Sequence, residues 1–368
     1  MFCARMIYFI VPQDQAFGLA EYLDMWGPGL LARFRIIVCE ELPTRSSLEP
    51  GTYVLSSLDQ LTPAGLRLIR EVEAELRSGG PDVRVLNSAH TTLFRLELLN
   101  NLSLLGLNQH RAIRASDDAS SLNYPVFIRE EHQHTGALTG LLHNRRELEA
   151  ALTRCLLLGH RREESLIMEF CDTADSKGYY RMYSALAIGQ EVVPQFMNIT
   201  RDWLAKHSNS EFTSELLLEE QAYVRDNPHQ QELRRLFALA GVQYGRIDYG
   251  VKDGKIETWE INLNPTLARY PALAPDLLTI RDRTVAIFHE GFCAAFEKVD
   301  PAWNSPALLP LQWHAKLRYR GAGDIVRKPQ RYRIPPLLLR KLRPVAPLIL
   351  WLVNTVSPLL ARQFRLPR

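Results

Sequence analysis

Short apolar runs of strand length alternate with helix-spaced stretches over the first ninety residues. Residues 5–12 (RMIYFIVP), 34–42 (FRIIVCEEL) and 51–58 (GTYVLSSL) are compact apolar runs, and FGLAEYLDMW separates the first two. LTPAGLRLIREVEAELRSGG follows, with Thr62 as N-cap, Pro63 at the first helical position and Gly79-Gly80 as the stop. DVRVLN is then a short buried strand. Strands alternating with helices in this way predict a small parallel α/β lobe. Residues 91–107 carry helical apolar spacing up to Gly106, and SDDASSLN is a polar loop. YPVFIRE predicts a strand, RRELEAALTRCLLLG a helix, and ESLIMEFCDT a strand that opens into a loop. YYRMYSALAIGQEVVPQFM predicts two strands turning at Ile188-Gly189-Gln190. A polar stretch, TRDWLAKHSNSEF, precedes the helix QQELRRLFALAG, and two strands follow with a hairpin turn at Asp253-Gly254.

Length and composition change this picture little. A chain of 368 residues, 46% hydrophobic and 23% charged, can bury a sizeable core in two or three subdomains. A net charge of +3 calls for no nucleic-acid partner. Five widely spaced cysteines without a CxxC pair fit free thiols in a reducing, cytoplasmic setting. The N-terminal apolar stretch is short and lacks a small-residue cleavage site, so it reads as a first strand and not as a signal peptide. From Arg331 the chain alternates basic residues with apolar runs around Trp351. Two readings stay open for 331–368: an apolar stripe docked on protein, which is favoured, or a peripheral membrane contact.

The densest candidate chemistry is in RIDYGVKDGKIETWEINLNP. Glu260 and Asn262 lie two apart on one strand and share a face, with Trp259, Ile261 and Leu263 assigned to the other. Across the Asp253-Gly254 turn, Asp248 falls opposite Glu260 and Asn262. Three hard oxygen donors on one patch suit Mg²⁺ (or Mn²⁺), which takes further ligands from phosphate and water. The same alternation also fits the wet face of an ordinary hairpin.

Asp248 followed by WEINLNP, with Glu260, Asn262 and Pro265, resembles the closing motif of the ATP-grasp superfamily, near its D-alanine–D-alanine ligase and glutamate-ligase branches. Upstream motifs are similar in the same order, over roughly residues 80–270. YPVFIRE resembles the phosphate-contacting strand, with Arg129 where Lys is usual, so the contact becomes a planar fork. Arg95 is the nearest candidate for the preceding basic residue. ESLIMEFCDT resembles the adenine hinge, giving Glu169, Phe170 and Cys171, with Asp172 or Asp175 toward the ribose. Arg181 matches a later phosphate arginine. Lys206 and Asn209 stand where the family closes a loop over the triphosphate. His132 and His134 replace a usually Gly/Ser-rich loop and read as substrate-contacting or merely solvated.

The resemblance implies a parallel N-terminal α/β lobe (1–110), an ATP-grasp domain (111–300, its α+β lobes 111–170 and 171–300 clasping ATP) and a basic-apolar extension (301–368). It also implies a ligase using ATP and Mg²⁺. Such an enzyme activates a carboxylate as an acylphosphate for attack by an amine, with small-molecule or peptide substrates. ATP contacts would come from Arg95, Arg129, Glu169, Phe170, Cys171, Asp175, Arg181 and Lys206, the last two also catalytic. The metal would sit on Asp248, Glu260 and Asn262, and Arg269 and Tyr270 would line the substrate pocket. A phosphotransferase acting on a hydroxyl and a non-catalytic nucleotide-binding protein remain alternatives, and a homodimer stays open.

Overall fold

The structure, a computed structural model, describes residues 6–134, 136–267, 273–299, 309–310 and 325–327. Arg269, Tyr270 and the tail from Arg331 lie outside the described residues. Two compact units emerge: positions up to Phe94 together with Thr173–Arg327, and Arg95–Asp172. Parallel and antiparallel sheets are both present, so the chain is a mixed α/β protein.

The first unit begins with β1 (Ile7–Val11), α1 (Phe17–Met25), β2 (Phe34–Val38), the short β3 (Ser47–Leu48), β4 (Thr52–Leu55), α2 (Pro63–Ser78) and β5 (Arg84–Leu86). Four of these strands form a parallel sheet in the order β2-β1-β4-β5. Thr62 caps α2 as expected, its hydroxyl accepting from Gly65 N–H.

The second unit is a three-stranded antiparallel sheet of β6 (Ala112–Arg114), β7 (Val126–Glu130) and β8 (Ser165–Glu169), in the order β6-β8-β7. Side chains of α3 (Arg95–Leu104) and α4 (Arg145–Leu157) cover its two faces. Leu99 of α3 packs with Leu166 and Met168, whereas Leu148 and Leu152 of α4 pack with Ile167. Burial on both faces explains why β8 reads as a continuous apolar run.

The chain re-enters the first unit through β9 (Tyr180–Ile188), β10 (Glu191–Thr200), α5 (Ser214–Asp226), α6 (Gln230–Ala240), β11 (Tyr244–Lys252) and β12 (Lys255–Asn262). These strands form an antiparallel sheet ordered β10-β9-β11-β12. α7 (Pro275–Val299) follows, and β13 (Leu309–Pro310) pairs with β3. Asp253 and Gly254 both have positive φ, at 51° and 75°, as a tight two-residue hairpin turn requires.

The sequence reading passes over β6, α5 and α7. α7 carries a legible stripe: Val285, Phe288, Phe292, Phe296 and Val299 are all buried. Its rings join the two sheets of the unit. Phe296 meets Phe34 of the parallel sheet at 5.2 Å between centroids and Tyr244 of the antiparallel sheet at 6.2 Å. α5 is harder to see, because Glu220 interrupts its apolar face. Burial raises the pKa of that carboxyl, and Arg281 of α7, 2.8 Å away, opposes the shift. Among the described residues no helix is long and apolar enough to cross a membrane.

Candidate active site

β11 and β12 pair so that Arg246 lies opposite Asn262 and Asp248 opposite Glu260. Four polar side chains therefore share one face of the hairpin, three of them named by the sequence reading. A β-bulge follows immediately, since Tyr249 pairs with Thr258 and not with Trp259. The extra residue turns Trp259 out of its expected alternation with Ile261. Its ring lies where a Cβ on Gly250 would come within 2.9 Å, on the Asp248 side of the strand.

Asp248 is buried and heavily engaged. Arg246 grips it bidentately, Nε to Oδ1 at 2.8 Å and Nη2 to Oδ2 at 3.0 Å. Ser184, its register partner on β9, donates to Oδ1 at 2.7 Å. A carboxylate has about four acceptor positions. Among the described residues three are filled, and one on Oδ2 is left. Asn262 Oδ1 accepts from Asn264 N–H at 2.9 Å and, among the described residues, keeps its second lone pair. With Glu260 opposite Asp248 in register, this donor set fits a hard divalent cation that retains water.

Packing fixes this arrangement from behind. Tyr223 donates to the Ser184 carbonyl at 3.1 Å, and its hydroxyl lies 3.2 Å from that of Tyr249. Burial pushes the Tyr223 phenol well above its ordinary range, so it stays a donor. Arg246 Nη1 reaches Thr266 O at 3.1 Å, and its guanidinium lies over the Phe196 ring at 5.1 Å. The segment after β12 is tied down as well: Ser56 Oγ donates to Leu263 O and Asn264 Nδ2 to Gln15 O. Sequence reasoning missed Arg246 and Ser184. Arg246 was legible, two residues before Asp248 on the same face. Ser184 was not, because only the β9–β11 register brings it there.

Elsewhere in this unit, Arg181 does not stand free. Nη1 meets Asp175 Oδ2 at 2.6 Å, while Nε and Nη2 bond to Glu219. Burial alone would lower its pKa; the two carboxylates raise it on balance. Tyr179 N–H and then the Arg181 fork hold the Asp175 carboxyl down at about 2. A depressed pKa contributes stability that is complete above the unfolded value, about 3.9, and is lost as pH falls through the folded one. The denaturation midpoint of wild type should therefore exceed that of Asp175→Asn at neutral pH, with the gap closing between about pH 4 and pH 2. Equal midpoints at pH 7 would show the tie to be idle.

Lys206 is half-buried at the start of a stitched loop. Its N–H donates to Asn209 Oδ1 at 2.8 Å, and Asn209 Nδ2 donates to Leu204 O at 3.0 Å. His207 anchors the loop against Asn198; burial, then the Arg281 charge, lowers its pKa.

In the second unit, Arg95 and Glu169 hold backbone. Arg95 Nη1 donates to the carbonyls of Glu130 (3.1 Å), Gln133 (3.2 Å) and Glu131, and so clamps the loop that carries His132 and His134. Arg95 Nη2 lies 3.3 Å from His134 Nδ1, and His132 Nε2 lies 3.7 Å from Glu131. Arg129 is buried on β7, with Nη2 3.5 Å from Gln133 O. Glu169 accepts from Arg111 Nε and N–H and from Asn123 N–H. The Phe170 N–H is taken by Pro125 O at 2.9 Å, and half-buried Cys171 and exposed Asp172 follow.

No protein-family model and no curated protein matches the sequence. Solved structures do. D-alanine–D-alanine ligase from Bacillus anthracis is similar at a TM-score of 0.43 and 13% identity, over 80% of this chain and 100% of that one. A RimK-domain ATP-grasp protein from Sphaerobacter thermophilus gives 0.41 and 14%, over 78% of this chain and 98% of that one. L-amino acid ligase from Bacillus licheniformis gives 0.39 and 14%, over 72% and 68%. In structure the chain resembles ATP-grasp proteins.

Proposed function

We propose that the chain is an ATP- and Mg²⁺-dependent ligase that activates a carboxylate as an acylphosphate and joins it to an amine. The supporting observation is the convergence of Asp248, Glu260 and Asn262 on one face of the β11–β12 hairpin, with lone pairs left on Asp248 and Asn262. Asp248, Glu260 and Asn262 would hold the metal, which when bound supplies positive charge to phosphoryl oxygens. Arg246 fixes the Asp248 carboxylate in one orientation, and Ser184 donates to its Oδ1, leaving Oδ2 the less engaged oxygen. Lys206 is the cation of this unit assigned to phosphate, whereas Arg181 serves as the tie between Asp175 and Glu219. The protein needs no covalent nucleophile for this chemistry, since placed charge carries most of the catalysis.

The test is ADP release with Mg²⁺ over a panel of carboxylic acids, each with and without an amine. A ligase gives stable product only with both. Phosphorylated product from a single hydroxyl acceptor would favour a phosphotransferase. Absence of turnover across the panel, together with no measurable ATP affinity, would overturn the reading.

A further inference from the structure

The first unit also holds a cavity of about 500 Å³ at the end of the antiparallel sheet where β11 begins. It lies apart from the hairpin cluster: Asp248 is four residues along β11 from Tyr244, roughly 13 Å of strand. The walls include side chains from three separated stretches. α2 supplies Glu73 and Arg77, the β9–β10 turn and the start of β10 supply Gln190 and Glu191, and α6 supplies Arg234 and Phe237. The size falls within the range of small-molecule sites.

The polar groups on these walls are unequally engaged. Glu73 is engaged on both oxygens, Oε1 accepting from Arg77 Nε and Oε2 from Ala89 N–H, each at 2.9 Å. Arg77 keeps donors beyond that bond and a long 3.5 Å contact to Asn87 O. Arg234 makes no hydrogen bond among the described residues; Glu191 lies 3.7 Å away as an ion pair. Glu191 is also 3.1 Å from Lys298 Nζ. The Gln190 amide has no side-chain partner among the described residues.

The lining carries two arginines and two glutamates, so its formal charge is balanced. That disfavours a polyanion. A loose Arg–Glu pair is instead matched by a ligand carrying both charges at similar separation, laid antiparallel along it. Phe237 and Ala238 add an apolar surface for an aliphatic side chain.

We propose that this cavity binds a small zwitterion, an α-amino acid or dipeptide, with its carboxylate on Arg234 and Arg77 and its ammonium on Glu191. The site is separate from the Asp248 cluster, and its occupancy needs no nucleotide. An occupant would touch α2, the β9–β10 turn and α6 together, and so would brace the junction at which β11 starts.

The test uses the full chain without ATP, with calorimetric titration and thermal melting against the standard amino acids and Ala-Ala. At least one zwitterion should bind saturably and raise the melting temperature, because a ligand held only by the folded state stabilises it. Its N-acetyl and amide derivatives, each lacking one charge, should bind more weakly. Arg234→Gln should weaken binding about tenfold or more, as loss of a charge-assisted hydrogen bond does. Gln190→Ala should weaken it to a smaller degree, and Glu260→Gln should leave it unchanged. Failure of every zwitterion, equal binding of the blocked derivatives, or full affinity in Arg234→Gln would overturn the proposal. Loss of binding in Glu260→Gln would place the ligand at the hairpin and overturn it as well.

Discussion

Asp248→Asn should reduce ATP turnover by roughly a hundredfold or more, the scale on which removal of one placed charge-stabilising group acts in active sites. The substitution is nearly isosteric. Asn keeps an oxygen to accept from Arg246 or Ser184, and the hairpin register that pairs position 248 with Glu260 does not depend on the charge. What disappears is the negative charge toward a cation. The competing account is purely structural, because Asp248 is already gripped by Arg246 at 2.8 and 3.0 Å. The two accounts separate on magnesium. If Asp248 only neutralises Arg246, the variant loses stability but its Mg²⁺ half-saturation for turnover is unchanged. If Asp248 is a ligand, half-saturation rises, and excess Mg²⁺ recovers part of the lost rate. Arg246→Gln supplies the reciprocal measurement: it frees the carboxylate, so Mg²⁺ affinity should hold or improve while the fold weakens. Turnover of Asp248→Asn equal to wild type, with an unshifted magnesium curve, would remove the hairpin from the catalytic account.

The parallel α/β lobe, the two-strand turn at Gly189 and the Asp253-Gly254 hairpin were readable because local chemistry dictates them: caps, positive-φ turn residues and strand-length apolar runs. The grouping of Asp248, Glu260 and Asn262 was readable for the same reason, since strand alternation and one short turn determine it. Three kinds of feature escaped. α5 hid behind Glu220, a charge that is apolar-compatible only because Arg281 of α7 meets it. The bulge at Trp259 breaks alternation through pairing that no local rule announces. Engagement was the third. Arg95, Arg181 and Glu169 have the residue types the resemblance requires. The structure nonetheless turns them onto carbonyls, carboxylates and amides of their own units. Sequence reports which groups are present, whereas burial and partners decide how much of each remains to meet a ligand.

Asn87→Ala should cost about 4 kcal/mol of stability or more, the combined effect of several orphaned buried backbone groups and a strained backbone. Asn87 is fully buried and sits at φ 66°, a left-handed conformation that Asn tolerates and Ala resists. Its side chain joins the two sheets of the first unit. Nδ2 donates to Leu55 O at 3.0 Å, at the end of β4, and to Tyr244 O at 2.8 Å, at the start of β11. Oδ1 accepts from the N–H groups of Gln243 and Tyr244 at 2.8 and 2.9 Å. Ala removes all four bonds and keeps the strain. Gly removes the same bonds and relieves the strain, so Asn87→Gly should be the milder of the two by roughly 1 kcal/mol. Asp keeps the acceptor but turns a carboxylate toward two carbonyl oxygens, so it should rank with Ala despite its shape. Denaturant unfolding of the three variants checks the order, and a loss under about 1 kcal/mol for Ala would mean that water or a shifted backbone replaces the side chain. The order carries a functional corollary. β11 runs from Tyr244 to Asp248 without a break, so a loosened Tyr244 end should lower turnover in Asn87→Gly before the protein unfolds. The hairpin's oxygens remain in place on their own strands, so Mg²⁺ half-saturation should stay near the wild-type value.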